Sequence, residues 1–129
     1  MTFETFEELE VWKLAKQLKK EIRELVKKFP VDEKYRLTDQ IIRSSRSAGS
    51  NIAEGFGRFH FKDNSKFCLN ARGSLFETLN HLIDAFDEEY ISDKEMKYFR
   101  EKVLFCIKVL KWKHSLPEKT INQNNLLTK

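Results

Sequence analysis

The residues of this chain with the clearest chemical capability are its arginines. Arg36, Arg43, Arg46 and Arg58 recur through one stretch, "RLTDQIIRSSRSAGSNIAEGFGR", and Lys62 and Lys66 carry positive charge beyond it. A guanidinium fork meets two phosphate oxygens at once, so arginines repeated along one segment suit an anionic backbone. On a helix, Arg36, Arg43 and Arg46 fall in one polar sector. The residues around them (Ser44, Ser47, Ser50, Asn51) are small and polar, leaving a smooth surface for a nucleic-acid backbone.

Other chemistries are less well served. His60, His81 and His114 are scattered along the chain, and although Asp84 lies at helical spacing from His81, no nucleophile joins them. Glu54 sits among small residues, but Arg58 one turn on gives it an ordinary ion-pair partner. Cys68 and Cys106, the only cysteines, fall in apolar helical patterns and read as free buried thiols. No metal-ligand spacing is present, so neither metal nor cofactor is expected, and no catalytic residue emerges. Gly49, Gly55 and Gly57 cluster, yet a phosphate-cradling loop needs a preceding strand and a Lys-Ser/Thr pair, and both are missing. Gly55 is better explained by close packing and Gly57 by a helix C-cap, with Phe56, Phe59 and Phe61 tucking the turn onto the core.

The elements that must position these residues are helices. The chain has 129 residues, enough for one domain, and is 34% charged with only four Gly and two Pro. That balance points to long helices joined by short connections. A net charge of +4 permits an anionic partner without demanding one. The N-terminus has neither a basic n-region nor an apolar h-region, and no apolar run reaches membrane-spanning length. With reduced thiols, a cytoplasmic location and no membrane partner are expected.

Apolar residues recur at helical spacing from Leu9 through Trp12, Leu18, Ile22 and Leu25 to Phe29, where Pro30 stops the first helix. Its cations, Lys13, Lys16, Lys19, Lys20, Arg23, Lys27 and Lys28, are interleaved with glutamates and read as a solvated face. A second helix, capped at Asp32 or Thr38, runs to Gly57 with Thr38, Ile41, Ser45, Ala48, Ile52 and Gly55 inward, a seam of small residues. A polar break leads to a third helix capped near Asp63, ending in the acidic cluster Asp84, Asp87, Glu88, Glu89. Ser92 and Glu95 form a capping box for a fourth helix reaching about His114. That helix has one stripe of Met96, Phe99, Val103, Cys106 and Leu110. A second apolar stripe (Tyr98, Phe105, Val109, Trp112) needs another partner and marks an oligomer interface. Residues 1–117 thus form an all-α, antiparallel up-and-down four-helix bundle, and residues 118–129 a polar, disordered tail.

Three segments carry a specific resemblance: "FEELEVWKLAKQL", "FPVDEKYRLTDQIIRSSRSAGSNIAEGFGR" and "FCLNARGSLFETLNHL". Together they resemble the bacterial four-helix bundle proteins encoded by intervening sequences of 23S rRNA genes. Relatives of the accessory variability protein of diversity-generating retroelements belong to the same family. The signature is Ser50, Asn51, Ile52, Ala53, Glu54 and Gly55, followed by Gly57 and Arg58, supported by Gly73-Ser74-Leu75 with Glu77 and by Val11-Trp12. The resemblance implies a ring-like homopentamer. Its retroelement branch further implies a basic pentamer binding nucleic acid and a reverse transcriptase, the latter the lesser alternative here. One departure is Ala48-Gly49, where the family has an apolar residue and proline, so a kink there is weaker. Two functions follow as expectations: a non-enzymatic oligomer binding RNA or DNA through its arginines, or a homo-oligomeric interaction scaffold.

Overall fold

A computed structural model describes the backbone of residues 4–58 and 61–123, and the side chains of residues 4–58 and 62–111. Four helices dominate: α1 (Glu10–Leu25), α2 (Leu37–Phe56), α3 (Phe61–Asp87) and α4 (Asp93–Gln123), with three short 3-10 turns before and after α1. No strand occurs among the described residues. Phe59 and His60 lie outside them, as do the side chains of Phe61, Trp112 and His114.

The core follows the apolar periodicity. Val11, Ala15, Leu18, Ile22 and Leu25 of α1 are buried, as are Met96, Phe99, Val103, Cys106 and Leu110 of α4. Burying each of the larger apolar side chains among them contributes roughly 1.5–3 kcal/mol, which is what orders helices whose outer faces are charged.

α2 and α3 are joined by small residues. Ser44 Oγ lies 2.8 Å from Thr78 Oγ1, and Ser74 Oγ donates to Ser47 Oγ at 2.9 Å. Asn51 Nδ2 donates to the Ser47 carbonyl and hydroxyl at 2.9 and 3.0 Å. Residues ascending α2 therefore meet residues descending α3, and the hydroxyls of Ser44, Ser47, Ser74 and Thr78 all have partners. At the far end, a Cβ on Gly55 would stand 3.0 Å from Phe67 Cβ and 3.3 Å from Asn64 Oδ1, so any larger residue would have to push its neighbours aside. Gly57 does occupy the C-cap of α2, but with φ −77°, a conformation open to any residue.

Helix boundaries differ from the sequence-based expectation in three places. α2 is started by neither Asp32 nor Thr38. Residues Val31–Glu33 form a 3-10 turn, and the Leu37 N–H donates to Glu33 Oε1 at 3.2 Å. α3 begins at Phe61, ahead of Asp63, so most of the expected polar break is helical. α4 continues through Pro117 to Gln123, past the expected end near His114. The capping box holds as expected: Ser92 N–H donates to Glu95 Oε1 at 2.9 Å and Glu95 N–H to Ser92 Oγ at 3.1 Å.

α3 ends in a left-handed residue, Glu89 at φ 65°. The Tyr90 N–H reaches the Ala85 carbonyl at 2.8 Å and the Glu89 N–H the Phe86 carbonyl at 2.9 Å, the Schellman pattern. This turns Tyr90 onto Phe29, ring centroids 5.6 Å apart, and lets its hydroxyl donate to Glu33 Oε2 at 2.7 Å. The hydroxyl holds the Glu33 carboxyl below its usual 4.5, helped by the Leu37 N–H, and the same bond pushes Tyr90 up to about 12.

Two predictions arise from this packing. Gly55→Ala should lower stability by about 1–3 kcal/mol through overpacking. Gly49→Ala, whose Cβ would meet nothing closer than 3.8 Å, should raise it by about 1 kcal/mol. Urea midpoints of the two variants should move in opposite directions. The second concerns pH. Glu33 is depressed, so its stabilisation is present above pH 4.5 and lost as pH falls through its lowered value; Tyr90 is raised, so its share is lost as pH climbs past 10. Tyr90→Phe should therefore lower the melting temperature most between those limits and least outside them.

Candidate functional site

Along α1 cations and acids alternate in sequence but separate in space. At 3.6 residues per turn, Lys16, Lys19, Lys20 and Arg23 share a sector of roughly 100°, while Glu21 and Glu24 point to another. The acids are occupied on the α4 side. Glu21 accepts from Gln17 Nε2 at 2.8 Å and from the Tyr98 hydroxyl at 2.6 Å, and Glu24 pairs with Lys27 at 3.0 Å. Lys28 reaches across to Glu95 at 2.8 Å, which holds that carboxyl below its usual value. Gln17, Glu21, Glu24, Lys28 and Glu95 line a groove of mixed charge between α1 and α4 together with Lys20, which stands between this groove and the α2 side.

On the α2 side nothing balances the cations. Lys16, Lys19, Lys20 and Arg23 face Arg46 of α2 across a groove of about 500 Å³, whose remaining lining is Ile42 and Ser45. None of the five cations has an ion-pair partner among the described residues. A second recess of about 250 Å³ shares Lys16, Lys19, Ser45 and Arg46 and continues towards Phe6, Trp12, Gly49, Ser50 and Ala53. The two form one channel between α1 and α2. Like charges this close favour any polyanion that enters and repel one another in its absence.

Of the residues expected to bind nucleic acid, only Arg46 lines this channel. Arg43 turns away and pairs with Asp39 at 3.0 Å, exposed. Arg58 pairs with Glu54 at 2.9 Å, as its spacing predicts, and lies 5.0 Å from the Phe67 ring centroid at the α2–α3 turn. Arg36, Lys62 and Lys66 are exposed at helix starts. The lysines of α1 complete the site. Interleaving with glutamates hid them, although a helical projection separates the two signs.

The signature residues divide by role. Ile52 and Gly55 are buried against neighbouring helices, Asn51 bonds Ser47, and Ser50 and Ala53 border the channel. On α4, Tyr98 is 44% and Phe105 50% exposed. Val109 packs partly onto the core, and the Trp112 side chain is outside the described residues. Leu69 (53%), Phe76 (43%) and Leu104 (38%) are further exposed apolar residues that the sequence pattern did not single out. His81 is buried, with Nε2 3.2 Å from Glu77 Oε2 rather than near Asp84, and its Nδ1 has no partner among the described residues. Burial pushes the Cys106 thiol up to about 12, which keeps it protonated and non-nucleophilic at neutral pH. Among the described residues no group of three His, Cys, Asp or Glu is placed to hold a metal ion, and no helix is long and apolar enough to cross a membrane.

Residues 7–112 match the 23S rRNA-intervening sequence protein family. The chain belongs to that family. Among solved structures it is similar to a protein of unknown function from the S23 ribosomal protein family of Bacteroides thetaiotaomicron. That likeness has a TM-score of 0.75 at 23% identity and covers 81% of this chain and 95% of the other, so it concerns the fold. No curated protein matches the sequence. The cation-lined channel is read from this chain's own side chains.

Lys19 has like-charge neighbours at i−3 (Lys16) and i+4 (Arg23). Lys19→Glu should thus raise stability by about 0.5 kcal/mol at low salt. The gain should vanish near 1 M salt, where screening is nearly complete. Thermal unfolding at the two ionic strengths checks this; a gain independent of salt would show that the channel cations do not repel one another.

Proposed function

We propose that this chain is a non-enzymatic, cytoplasmic protein that binds nucleic acid, RNA above all, along the channel between α1 and α2. The observation that carries the reading is the meeting of Lys16, Lys19, Lys20 and Arg23 with Arg46 around one recess without a described carboxylate. Lysines supply point charges and Arg46 a bidentate fork, a combination suited to successive phosphates. Arg43, Arg58, Lys62 and Lys66 lie outside the channel and serve as flanking electrostatic attraction.

The same proposal includes assembly. The helices close as an antiparallel up-and-down bundle, and bundles associate as the ring-like homopentamer that the family resemblance implies. Support comes from Leu69, Phe76, Leu104 and Phe105, large apolar side chains left exposed on α3 and α4. Gly73 adds to it: a Cβ there would meet nothing within 4 Å, so no contact among the described residues explains a glycine in mid-helix. An interaction scaffold, with a reverse transcriptase among its candidate partners, is the second reading, favoured by this apolar surface alone.

Fluorescence anisotropy with labelled RNA across a salt series tests the primary reading. Log affinity should fall with log salt at a slope near −3, for about four neutralised phosphates. Arg46→Ala should flatten that slope by about 1 while Arg43→Ala changes it little. If light scattering gives an oligomer but RNA is not bound even at low salt, the scaffold reading takes its place.

A further inference from the structure

The channel changes character along its length. At the α1 C-terminal end its walls are cationic, with Ile42 and Ser45 between them. Towards the α1 N-terminus the lining adds Trp12, Phe6, Ala15, Gly49 and Ala53, an aromatic and small-residue floor. Trp12 is half-buried, backed by Phe6 with centroids 5.1 Å apart in edge-on geometry, and Lys16 Nζ lies 5.2 Å from its ring centroid. Such a cation–π contact at an exposed site is weak, so Lys16 is free to exchange it for a phosphate and uncover the ring.

Gly49 bears on the same point. Its position in the interior of α2 disfavours the helix, yet a Cβ would stand 3.8 Å from Trp12 Nε1, ordinary contact, so packing does not require glycine. The missing side chain leaves the Nε1–Cδ1 edge of the indole open to the channel, while its face lies under Lys16 and is uncovered when that ammonium moves to a phosphate. Cations along one stretch and an aromatic ring beside them, covered only by an exchangeable lysine and open at its edge, are the two parts of a single-strand site: charge follows the backbone and the ring takes a base. A duplex keeps its base faces in its own stack and would rest on the rims of a recess between two packed helices, whose axes stand about 8–10 Å apart. From Ile42 to Ala53 the channel follows 12 residues of α2, about 16 Å from first to last, room for about five stacked nucleotides.

We infer that the α1–α2 channel takes single-stranded nucleic acid, with a base stacked on Trp12 beneath Gly49 and the adjoining phosphates held by Lys16, Lys19 and Arg46. This rests on the nucleic-acid reading above and specifies its ligand.

The test uses the full chain, a labelled twelve-nucleotide unstructured RNA and the corresponding twelve-base-pair RNA duplex at about 0.1 M salt. The single strand should bind at least about tenfold more tightly and quench tryptophan fluorescence. Gly49→Leu, which keeps a good helix former while reaching from the indole edge into the space beside the ring, should lose about tenfold in single-strand affinity and leave duplex binding unchanged. Trp12→Leu should do the same, and circular dichroism establishes that each variant is folded. Equal or tighter duplex binding, or single-strand affinity unchanged in Gly49→Leu, overturns the inference but leaves salt-dependent nucleic-acid binding standing. Binding to neither RNA, or preference for anionic lipid vesicles over both, overturns the two readings together.

Discussion

The close approach of α2 to α3 is the constraint from which the rest of the structure follows. It is built from residues with almost no side chain to spare: Gly55 against Phe67, Ser44 against Thr78, Ser47 against Ser74. Small residues let backbones approach, and the hydroxyl pairs satisfy groups that would be costly to bury alone. Because this face of α2 is committed to α3, its rotation about its own axis is fixed. That rotation carries Arg46 towards α1 and Arg43 towards solvent, although both occupy one polar sector of the helix.

α1 answers with its own division of labour. Its Glu21 and Glu24 are held by Tyr98, Gln17 and Lys27, and Lys28 closes on Glu95. Those contacts draw negative charge to the α4 flank and leave the α2 flank uniformly cationic. A net charge of +4 would then understate the local field, because what a polyanion meets is the arrangement of charges, and field lines concentrate in a recess with low-dielectric walls. The individual surface pairs contribute little stability. Their consequence lies in which lysines they leave unpaired.

The signature between Ser50 and Arg58 is in the first place structural. Gly55 sets the helix contact, Asn51 ties back to Ser47, and Glu54 with Arg58 closes the last turn. Its contribution to the channel is indirect: Ser50 and Ala53 keep the wall low beside Trp12.

The apolar periodicities of α1 and α4, the small-residue seam of α2 and the capping box at Ser92 were legible in the amino-acid order, because each depends on residues within a turn or two of one another. Gly55 as a packing glycine and the Glu54–Arg58 pair were legible for the same reason. The start of α2 was not, since Glu33 both accepts the Leu37 N–H and takes a hydroxyl from Tyr90, a residue far along the chain. Nor was the extent of α4, where helix continues through Pro117. The candidate site lay furthest from view: the sequence itself determined which residues are cationic and which face of each helix is apolar. Only tertiary structure decided that α1's lysines and Arg46 share one recess while Arg43 does not, because relative helix rotation is set by packing between distant residues, and charge acts through space rather than along the chain.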